Sequence, residues 1–381
     1  MKELAALGHD VIDLGVGERD FDTPAHIIEA AYAAARAGDT RYTPTVGAQD
    51  LRQAIVNKLT RENNLRYSTD EVIVSNGAKQ VIYDALMVTM EPGEEVLLCA
   101  PYFDIYNTMT HVFGGTPKVI TCGAQDSFQL TPQALEDAIS LATRWLFLNP
   151  PSHPAGAVYT ADVLRALGEV LSRHPRVQIL ADEIYEHIIF DGREFVSFAA
   201  ACPELRDRTL CVNGVSKSYA MTGWRIGYGA GPQALIAAMT KVQSQITSGA
   251  SSISQAAALA ALTGPQDNVS QFKEAFERRR NIVLDGIAQC PDLTLEPPGG
   301  AFYTFIGCGA FIGARAPDGS HIDDDVGFCQ YWLNEGLVAA IPGSAYGLSP
   351  FFRLSTAASD DELSKATQRI VSCVATLTRV D

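Results

Sequence analysis

Short apolar runs alternate with helix-like segments along the first two thirds of the chain. Runs such as EVLLCA (95–100) and VQILAD (177–182) are apolar at nearly every position, which is typical of strands buried on both faces. Segments such as TADVLRALGEVLSRH (160–174) repeat apolar residues every three or four positions, which is typical of helices. The same criteria predict strands at 71–75, 144–149 and 209–214 and helices at 78–90 and 102–114. This alternation predicts an α/β protein with a mostly parallel central sheet covered by helices.

The pattern changes in the C-terminal third, after a long predicted helix at 271–290. The shorter segments beyond it are predicted strands AFYTF (301–305) and LVAAI (337–341) and predicted helices at 324–336 and 359–378. The N-terminal segment VIDLG (11–15) is expected to join them. The change predicts a smaller α+β domain formed by residues 1–20 and 268–381, beside a large domain formed by residues 21–267.

The composition is that of a globular chain and excludes several classes of function. The 381 residues carry a net charge of −15, which argues against nucleic acid as a partner because phosphates select basic surfaces. No apolar run approaches the roughly 18 residues that span a membrane. The eight cysteines form no C-x-x-C pair, so we interpret them as reduced packing residues and predict no metal site. The first ten residues lack a signal-peptide pattern, which predicts a cytoplasmic protein.

Lys217 follows an apolar run, TLCV, that leads towards an interior. Lysine is rarely buried without a partner. The side chain is therefore either an ordinary surface lysine after a strand or an amine held in a site to form a Schiff base with a carbonyl compound. The segment around Lys217 leaves both interpretations open.

Two further segments place polar groups directly after a predicted strand. In SNGAKQ, the amides of Gly77, Ala78 and Lys79 would point out of a helix N-terminus and bind an anion, unless the small residues only make room for the turn. In ILADEIY, Asp182 precedes Tyr185 by three residues. Asp182 is either a helix cap or the partner of a cationic nitrogen.

Two more segments complete the pattern. NPPSHPAG (149–156) is a proline-rich turn after a predicted strand, and it is either a rigid loop or part of a site. FFRLS (351–355) sets Arg353 inside an apolar strand. A buried arginine needs an anionic partner, and its rigid fork suits a carboxylate.

Taken in order, these segments resemble those of the class I aminotransferases. The order is an anion cradle, a proline turn, Asp-x-x-Tyr, Ser-Lys with Arg225 eight residues after Lys217, and a C-terminal arginine. The resemblance extends from DLGVGERDFDTP to PGSAYGLSPFFRLS and is closest to the bacterial aspartate aminotransferase-like branch. It implies the aspartate aminotransferase fold (fold type I), the cofactor pyridoxal 5′-phosphate (PLP) and a homodimer with shared active sites.

The resemblance implies catalytic roles for three residues. Lys217 would form an aldimine with PLP and later move the proton between the substrate Cα and the cofactor. Asp182 would keep the pyridine nitrogen protonated, and Tyr185 would donate to the phenolic oxygen. The implied reaction is transamination between an α-amino acid, aspartate or glutamate, and a 2-oxo acid.

The resemblance also implies binding roles. Arg225 and the amides of Gly77 and Ala78 would hold the cofactor phosphate, and Tyr42 would reach the phosphate of the neighbouring subunit. The substrate α-carboxylate would bind to Arg353 and the Gly17 amide. The side-chain carboxylate of a dicarboxylic substrate would contact Lys79.

Several residues depart from the family pattern. Phe103 stands where tryptophan usually stacks on the cofactor ring, and Gly214 stands where many members have a phosphate-binding serine. His153 replaces an asparagine that donates to the phenolic oxygen. The imidazole either substitutes for the amide or turns away and leaves Tyr185 as the donor. SQITSGASS (244–252), which matches a segment contributed by the partner subunit, lacks the usual Asn-Pro.

These departures keep PLP as the predicted cofactor but leave the substrate open. The N-terminal arm that precedes VIDLG in the family, and that helps to cover the substrate, is expected to be missing. The alternatives are an aminotransferase for aromatic or other α-amino acids, a PLP-dependent β-elimination lyase and a non-catalytic relative. The presence of Asp182, Tyr185, Lys217, Arg225 and Arg353 argues against the last.

Overall fold

A computed structural model describes residue 4, residues 6–17 and residues 20–379 of the chain. The strands are β1 Ile12–Asp13, β2 Val72–Ser75, β3 Glu95–Ala100, β4 Thr116–Thr121, β5 Thr143–Leu148, β6 Gln178–Asp182, β7 Thr209–Gly214, β8 Gly227–Ala230, β9 Thr294–Leu295, β10 Tyr303–Gly307, β11 Val338–Ala339, β12 Ile341–Pro342 and β13 Phe351–Ser355. The helices are α1 Ala25–Arg36, α2 Gln49–Asn63, α3 Ala78–Thr89, α4 Asp104–Val112, α5 Pro132–Ala138, α6 Ala161–Ser172, α7 Phe198–Ala201, α8 Gln233–Ile246, α9 Ser252–Thr263, α10 Asp267–Ile287, α11 Asp325–Tyr331 and α12 Asp360–Val374.

The central sheet has seven strands in the order β2-β8-β7-β6-β5-β3-β4. All neighbouring pairs in it are parallel except the two that involve β8, which runs against both β2 and β7. This confirms the predicted α/β class with a mostly parallel sheet. Within the described residues, no helix combines the length and apolar character needed to cross a membrane.

Alternate side chains of β3 show how both faces of this sheet are covered. Val96 and Leu98 are fully buried in a core cluster that also contains Val81 of α3. Leu97, between them, is buried in a second cluster with Leu164 of α6. Apolar burial stabilises by about 25 cal/mol per Å². A strand that buries both faces therefore needs the continuous apolar run seen in the sequence.

A second group of strands involves the C-terminal third. β9, β10, β12 and β13 form an antiparallel sheet, and β1 pairs in parallel with β11. The pairing of β1 confirms that VIDLG joins this part of the chain. Its core includes Leu14, Trp332 and Phe352, which are fully buried. The predicted domain boundaries after residues 20 and 267 stay a prediction.

The structure corrects two segments of the C-terminal third. The helix predicted at 324–336 ends as an α-helix at Tyr331 and continues as a π-helical turn over Trp332–Gly336. LVAAI is not one strand, because β11 pairs with β1 whereas β12 pairs with β13 in another sheet. Pro342, which has no N–H to donate, ends the second piece. Both pieces are apolar, so their periodicity could not separate them.

Two other element boundaries differ slightly from the predicted ones. The strand predicted at 301–305 begins at Tyr303 because Ala301 adopts a φ of 58° and donates its N–H to Ile188 O at 2.9 Å. The long helix begins at Asp267, four residues before the predicted start at Gln271, and ends at Ile287.

Candidate active site

The carboxyl ends of the parallel strands meet at one edge of the central sheet, where ligands bind in folds of this kind. β8 begins at the same edge because it runs in the opposite direction. A cavity of about 520 Å³ opens there and reaches β13. The predicted site residues that line it are Gly17, Ala78, Lys79, Phe103, His153, Asp182, Tyr185, Lys217, Arg225 and Arg353. Its size is typical of a small-molecule site.

The turn between β2 and α3 forms one end of the site. Gly77 precedes the first residue of α3 with a φ of 84°, a conformation that favours glycine. A Cβ on Gly77 would lie only 2.4 Å from Arg225 Nη2, so the missing side chain lets the guanidinium approach the helix N-terminus. Arg225 Nη1 also donates to Thr222 O at 2.8 Å. The Gly77 N–H donates to Ser75 O at 2.8 Å, so the predicted role of this amide in binding an anion is not supported. The Arg225 guanidinium beside the amides of Ala78 and Lys79 at the helix N-terminus makes a site for an anion.

Asp182 is the last residue of β6 and is buried. Its Oδ2 accepts a hydrogen bond from Tyr106 at 2.6 Å, and its own carbonyl accepts one from Asn149 Nδ2 at 2.7 Å. Burial raises the pKa of Asp182 to about 6, although the Tyr106 hydrogen bond favours the ionised form. The helix-cap interpretation is wrong, because turns rather than a helix follow β6.

Lys217 lies in the segment between β7 and β8 and is half-buried at the cavity. Its Nζ donates to Gly17 O at 3.0 Å and lies 5.3 Å from the ring centroid of Phe302. The ring centroid of Tyr185 is 5.9 Å from the same atom. The interpretation of Lys217 as an ordinary surface lysine is therefore wrong. An amine among aromatic rings in a cavity is suited to react with a bound carbonyl group.

The hydroxyl groups of Tyr185 and Tyr303 are 3.2 Å apart. Burial raises the pKa of Tyr185 well above its usual range, with a further contribution from Tyr303. Tyr185 is therefore a neutral hydrogen-bond donor at the cavity. Tyr303 also leaves no room for a side chain at Gly17, since a Cβ there would lie 2.2 Å from the Tyr303 hydroxyl oxygen.

Arg353 lies in the middle of β13 and is 5% exposed. Its Nη1 is 2.7 Å from His153 Nε2, and its Nη2 donates to Gly15 O. The guanidinium carbon lies 4.7 Å from the ring centroid of Tyr303. Among the described residues, no carboxylate forms an ion pair with Arg353, and its Nε has no hydrogen-bond partner. A buried guanidinium in this state requires an anionic ligand.

Three predicted residues form one wall near these arginines. Lys79 Nζ lies 5.0 Å from the ring centroid of Phe103, and the Phe103 ring meets the His153 ring edge-on at 4.9 Å. His153 is 5% exposed, and its Nδ1 has no hydrogen-bond partner. Burial and the Arg353 charge hold the pKa of His153 well below its usual range. The predicted contact of His153 with a cofactor oxygen stays a prediction.

Tyr42 lies outside the cavity. It is 92% exposed and lines a separate surface groove together with residues 247–253. Within this chain, then, the structure does not bring Tyr42 to the other predicted site residues, which is what a role in a neighbouring subunit requires.

A cluster of ionisable side chains lies next to the site but outside the cavity. Glu62, Glu186 and His187 have potential ligand atoms within 4.8 Å of one another. Lys58 forms a buried ion pair with Glu186, so the cluster already contains a cation. His187 Nδ1 is 2.7 Å from Ser218 Oγ, which ties the turn after β6 to the residue next to Lys217.

Tyr106, Asn149 and Tyr303 also line the cavity, although the sequence did not single them out. Asn149 directly follows β5, and a polar residue at that strand end is the same signal that identified Asp182. Tyr303 lies in AFYTF, which was predicted only as a strand. Tyr106 lies inside α4, where the helical pattern carries no sign of chemistry.

The fold and the cavity define an α/β enzyme in which a lysine and a buried carboxylate line the same cavity as two arginines. Comparison with known proteins gives the family, since the model for aminotransferases of class I and II matches residues 9–370. The chain belongs to this family and is an aminotransferase. The predicted family resemblance and activity class are thereby confirmed.

Similar proteins cover nearly the whole chain. It is 51% identical over 365 residues to an aspartate aminotransferase of Rhizobium meliloti, covering 96% of this chain and 89% of that protein. It is 48% identical to an aspartate/prephenate aminotransferase of Cereibacter sphaeroides, covering 97% and 92% of the two chains. The crystal structure of an aspartate aminotransferase from Rhizobium meliloti matches with a TM-score of 0.97 and 49% identity, covering 99% and 94%. These matches confirm the aspartate aminotransferase fold.

Proposed function

We propose that this aminotransferase transfers the amino group of aspartate or glutamate to a 2-oxo acid, with PLP as its cofactor. The observation that carries the proposal is the joint presence of Lys217, buried Asp182 and two differently built arginine sites in one cavity. The names of the similar proteins support a dicarboxylic amino acid as substrate.

The residues at the sheet edge fit PLP. The anion site at Arg225 and Gly77 suits its phosphate, and Asp182 is an acceptor for a protonated pyridine nitrogen. Tyr185 can donate to the phenolic oxygen, and Phe103 offers an aromatic face to the ring. When bound, PLP supplies an electron sink for the electrons of the broken Cα–H bond.

The side chains of this enzyme then divide the work on the substrate. Arg353 holds the α-carboxylate, which orients the Cα–H bond towards Lys217. Lys217 would act as the general base and then the general acid, its Nζ taking the proton from the substrate Cα and later returning it. Lys79 holds the second carboxylate of aspartate or glutamate.

An aromatic substrate is the second candidate. Phe103 and Tyr303 line the cavity, and the Cereibacter sphaeroides relative carries prephenate in its name. In this alternative the aromatic walls bind the substrate ring, and Lys79 stays over the Phe103 ring.

The dimer and the location of the protein are part of the proposal. Tyr42 and the segment 244–252 are each predicted to reach a neighbouring subunit, and Tyr42 and residues 247–252 line the same surface groove. This clustering supports a homodimer whose sites are shared. The cytoplasmic location stays a prediction.

A panel of amino acids tests the proposal. The PLP form of the protein is mixed with each amino acid, and the 2-oxo acid and pyridoxamine phosphate are quantified. Aspartate and glutamate should react fastest. A preference for phenylalanine or tyrosine would favour the second candidate, and pyruvate and ammonia without pyridoxamine phosphate would show the β-elimination lyase instead.

A further inference from the structure

His153 and Arg353 are 200 residues apart in the chain. They meet at the part of the cavity that is proposed to bind the substrate α-carboxylate. The two nitrogens, His153 Nε2 and Arg353 Nη1, are 2.7 Å apart. An arginine is always charged and can only donate. His153 Nε2 must therefore accept with its lone pair, so the imidazole is neutral and carries its proton on Nδ1.

The charges that act on the pKa of His153 are those of cations, although the carboxyl group of Asp182 lines the same cavity. Arg353 of β13, Lys217 and Lys79 of α3 act on it as positive charges. The rings of Tyr303 and Tyr346 lie 4.4 and 5.3 Å from its ring centroid, and burial raises the pKa of Tyr346 above its usual range. A second cavity that His153 lines contains the titratable residues Cys99, Tyr102, Tyr106 and Tyr159. Burial raises the pKa of the three tyrosines, and the hydrogen bond with Cys122, together with burial, raises the pKa of Cys99.

An anion that binds to Arg353 changes this balance. Its negative charge offsets the arginine, which removes much of the electrostatic penalty on a charged imidazole. A protonated His153 would release Nη1 and donate Nε2–H, leaving the arginine fork free for the carboxylate. The proton comes from the solvent.

We propose that His153 is a positioning residue for the carboxylate site: as a neutral imidazole it holds the Arg353 guanidinium, and it takes up a proton when a carboxylate binds there. The inference rests on the proposed function, in which Arg353 receives the substrate α-carboxylate. It concerns the arginine rather than the phenolic oxygen of the cofactor, and it makes carboxylate affinity depend on pH through His153.

Because the bound form holds one proton more than the free form, affinity rises as the pH falls between the free and bound pKa of His153. One linked proton corresponds to about a tenfold change in affinity per pH unit within that window. An amide does not titrate, so His153→Asn should lack this dependence.

Binding of succinate to the PLP-loaded protein tests the inference. The Kd is measured by calorimetry at several pH values and in buffers of different ionisation enthalpy, which gives the number of protons taken up. Other titrating groups of the cavity are present in both proteins, so the difference between wild type and His153→Asn reports His153. Wild type should take up more protons and show the steeper pH dependence.

Nitrogen-15 NMR of the histidine side chains measures the protonation state of His153 directly. This measurement does not depend on the activity of a variant. The signal that disappears in His153→Asn should show a protonated Nδ1 and a bare Nε2 without succinate, and two protonated nitrogens with it. Equal proton uptake in both proteins, or an imidazole that stays neutral with succinate bound, would overturn the role of His153. Failure of wild type to bind succinate would instead overturn the proposed function.

Discussion

Arg225 and Arg353 both line the cavity, but Arg225 is exposed and contacts backbone, whereas Arg353 is buried and contacts mostly side chains. Arg225 stands against the glycine turn at the start of α3. Arg353 contacts an imidazole, a carbonyl and two aromatic rings from distant segments. Charges interact more strongly in a buried setting. The difference suits Arg225 to a permanent cofactor anchor and Arg353 to a selective substrate site.

Lys217 is proposed to bond to the cofactor and to act on the substrate. Its loss should therefore have the largest effect on activity. Lys217→Ala should bind PLP without a covalent bond, through the Arg225 site and Asp182, and should not turn over. In wild type, borohydride reduction should attach the cofactor to Lys217, as read by peptide mass spectrometry. Attachment to another lysine would contradict the assignment.

Removing the buried arginine should impair the reaction with the substrate without preventing the cofactor from binding. Arg353→Ala should lower kcat/KM for every amino acid roughly 30- to 5,000-fold, while PLP still binds. This factor corresponds to a loss of about 2–5 kcal/mol of transition-state stabilisation. The matched variant is Lys79→Ala, which should lower kcat/KM only for aspartate and glutamate, by roughly 10- to 150-fold. If Lys79→Ala leaves the preference for aspartate over alanine unchanged, the dicarboxylate proposal fails.

Asp182 should make the cofactor-free protein less stable as the pH rises. Its pKa is raised from 3.8 to about 6, so between these values the folded state holds a proton that the unfolded chain has lost. The free energy of unfolding should fall by about 3 kcal/mol across this window relative to Asp182→Asn. Urea unfolding of both proteins from acid to neutral pH measures it. Parallel curves would mean that the carboxyl group titrates normally.

Gly77→Ala tests the backbone-supported site. The new Cβ would meet Arg225 Nη2 at 2.4 Å, and a φ of 84° is strained for alanine. We expect PLP affinity or stability to fall by about 1–3 kcal/mol. The control is Gly223→Ala, because a Cβ at Gly223 meets nothing within 4 Å. Similar losses in both variants would show that the close approach of Arg225 is unimportant.

Tyr42→Phe should have the smallest effect, because it removes one hydrogen bond contributed by the proposed partner subunit. PLP binding should weaken by about 1–2 kcal/mol. Mixing Tyr42→Phe and Lys217→Ala subunits should restore activity, since half of the sites in a hybrid would carry neither change. Proven subunit exchange without recovery would place Tyr42 outside the shared site.

The two arginine sites also differ in how far the sequence predicts them. SNGAKQ lies within one strand–turn–helix unit, so Gly77 and its anion site follow from local rules. Arg353 is recognisable as a charge in an apolar strand, but its contact with His153 joins segments that only the packing of two sheets brings together. Tyr106 could not be predicted as a site residue. Its hydroxyl reaches Asp182 from a helix whose apolar pattern is explained by burial alone.

The reversed direction of β8 has a mechanical consequence for the proposed cofactor site. β7 and β8 pair antiparallel from Cys211 with Ala230 to Gly214 with Gly227, and the intervening loop carries both Lys217 and Arg225. A ligand bonded to the lysine and held by the arginine therefore cross-links one hairpin loop. Such a cross-link lowers the conformational entropy of the loop. Binding of the cofactor should slow amide hydrogen exchange in the loop and in both strands, which lie inside the sheet.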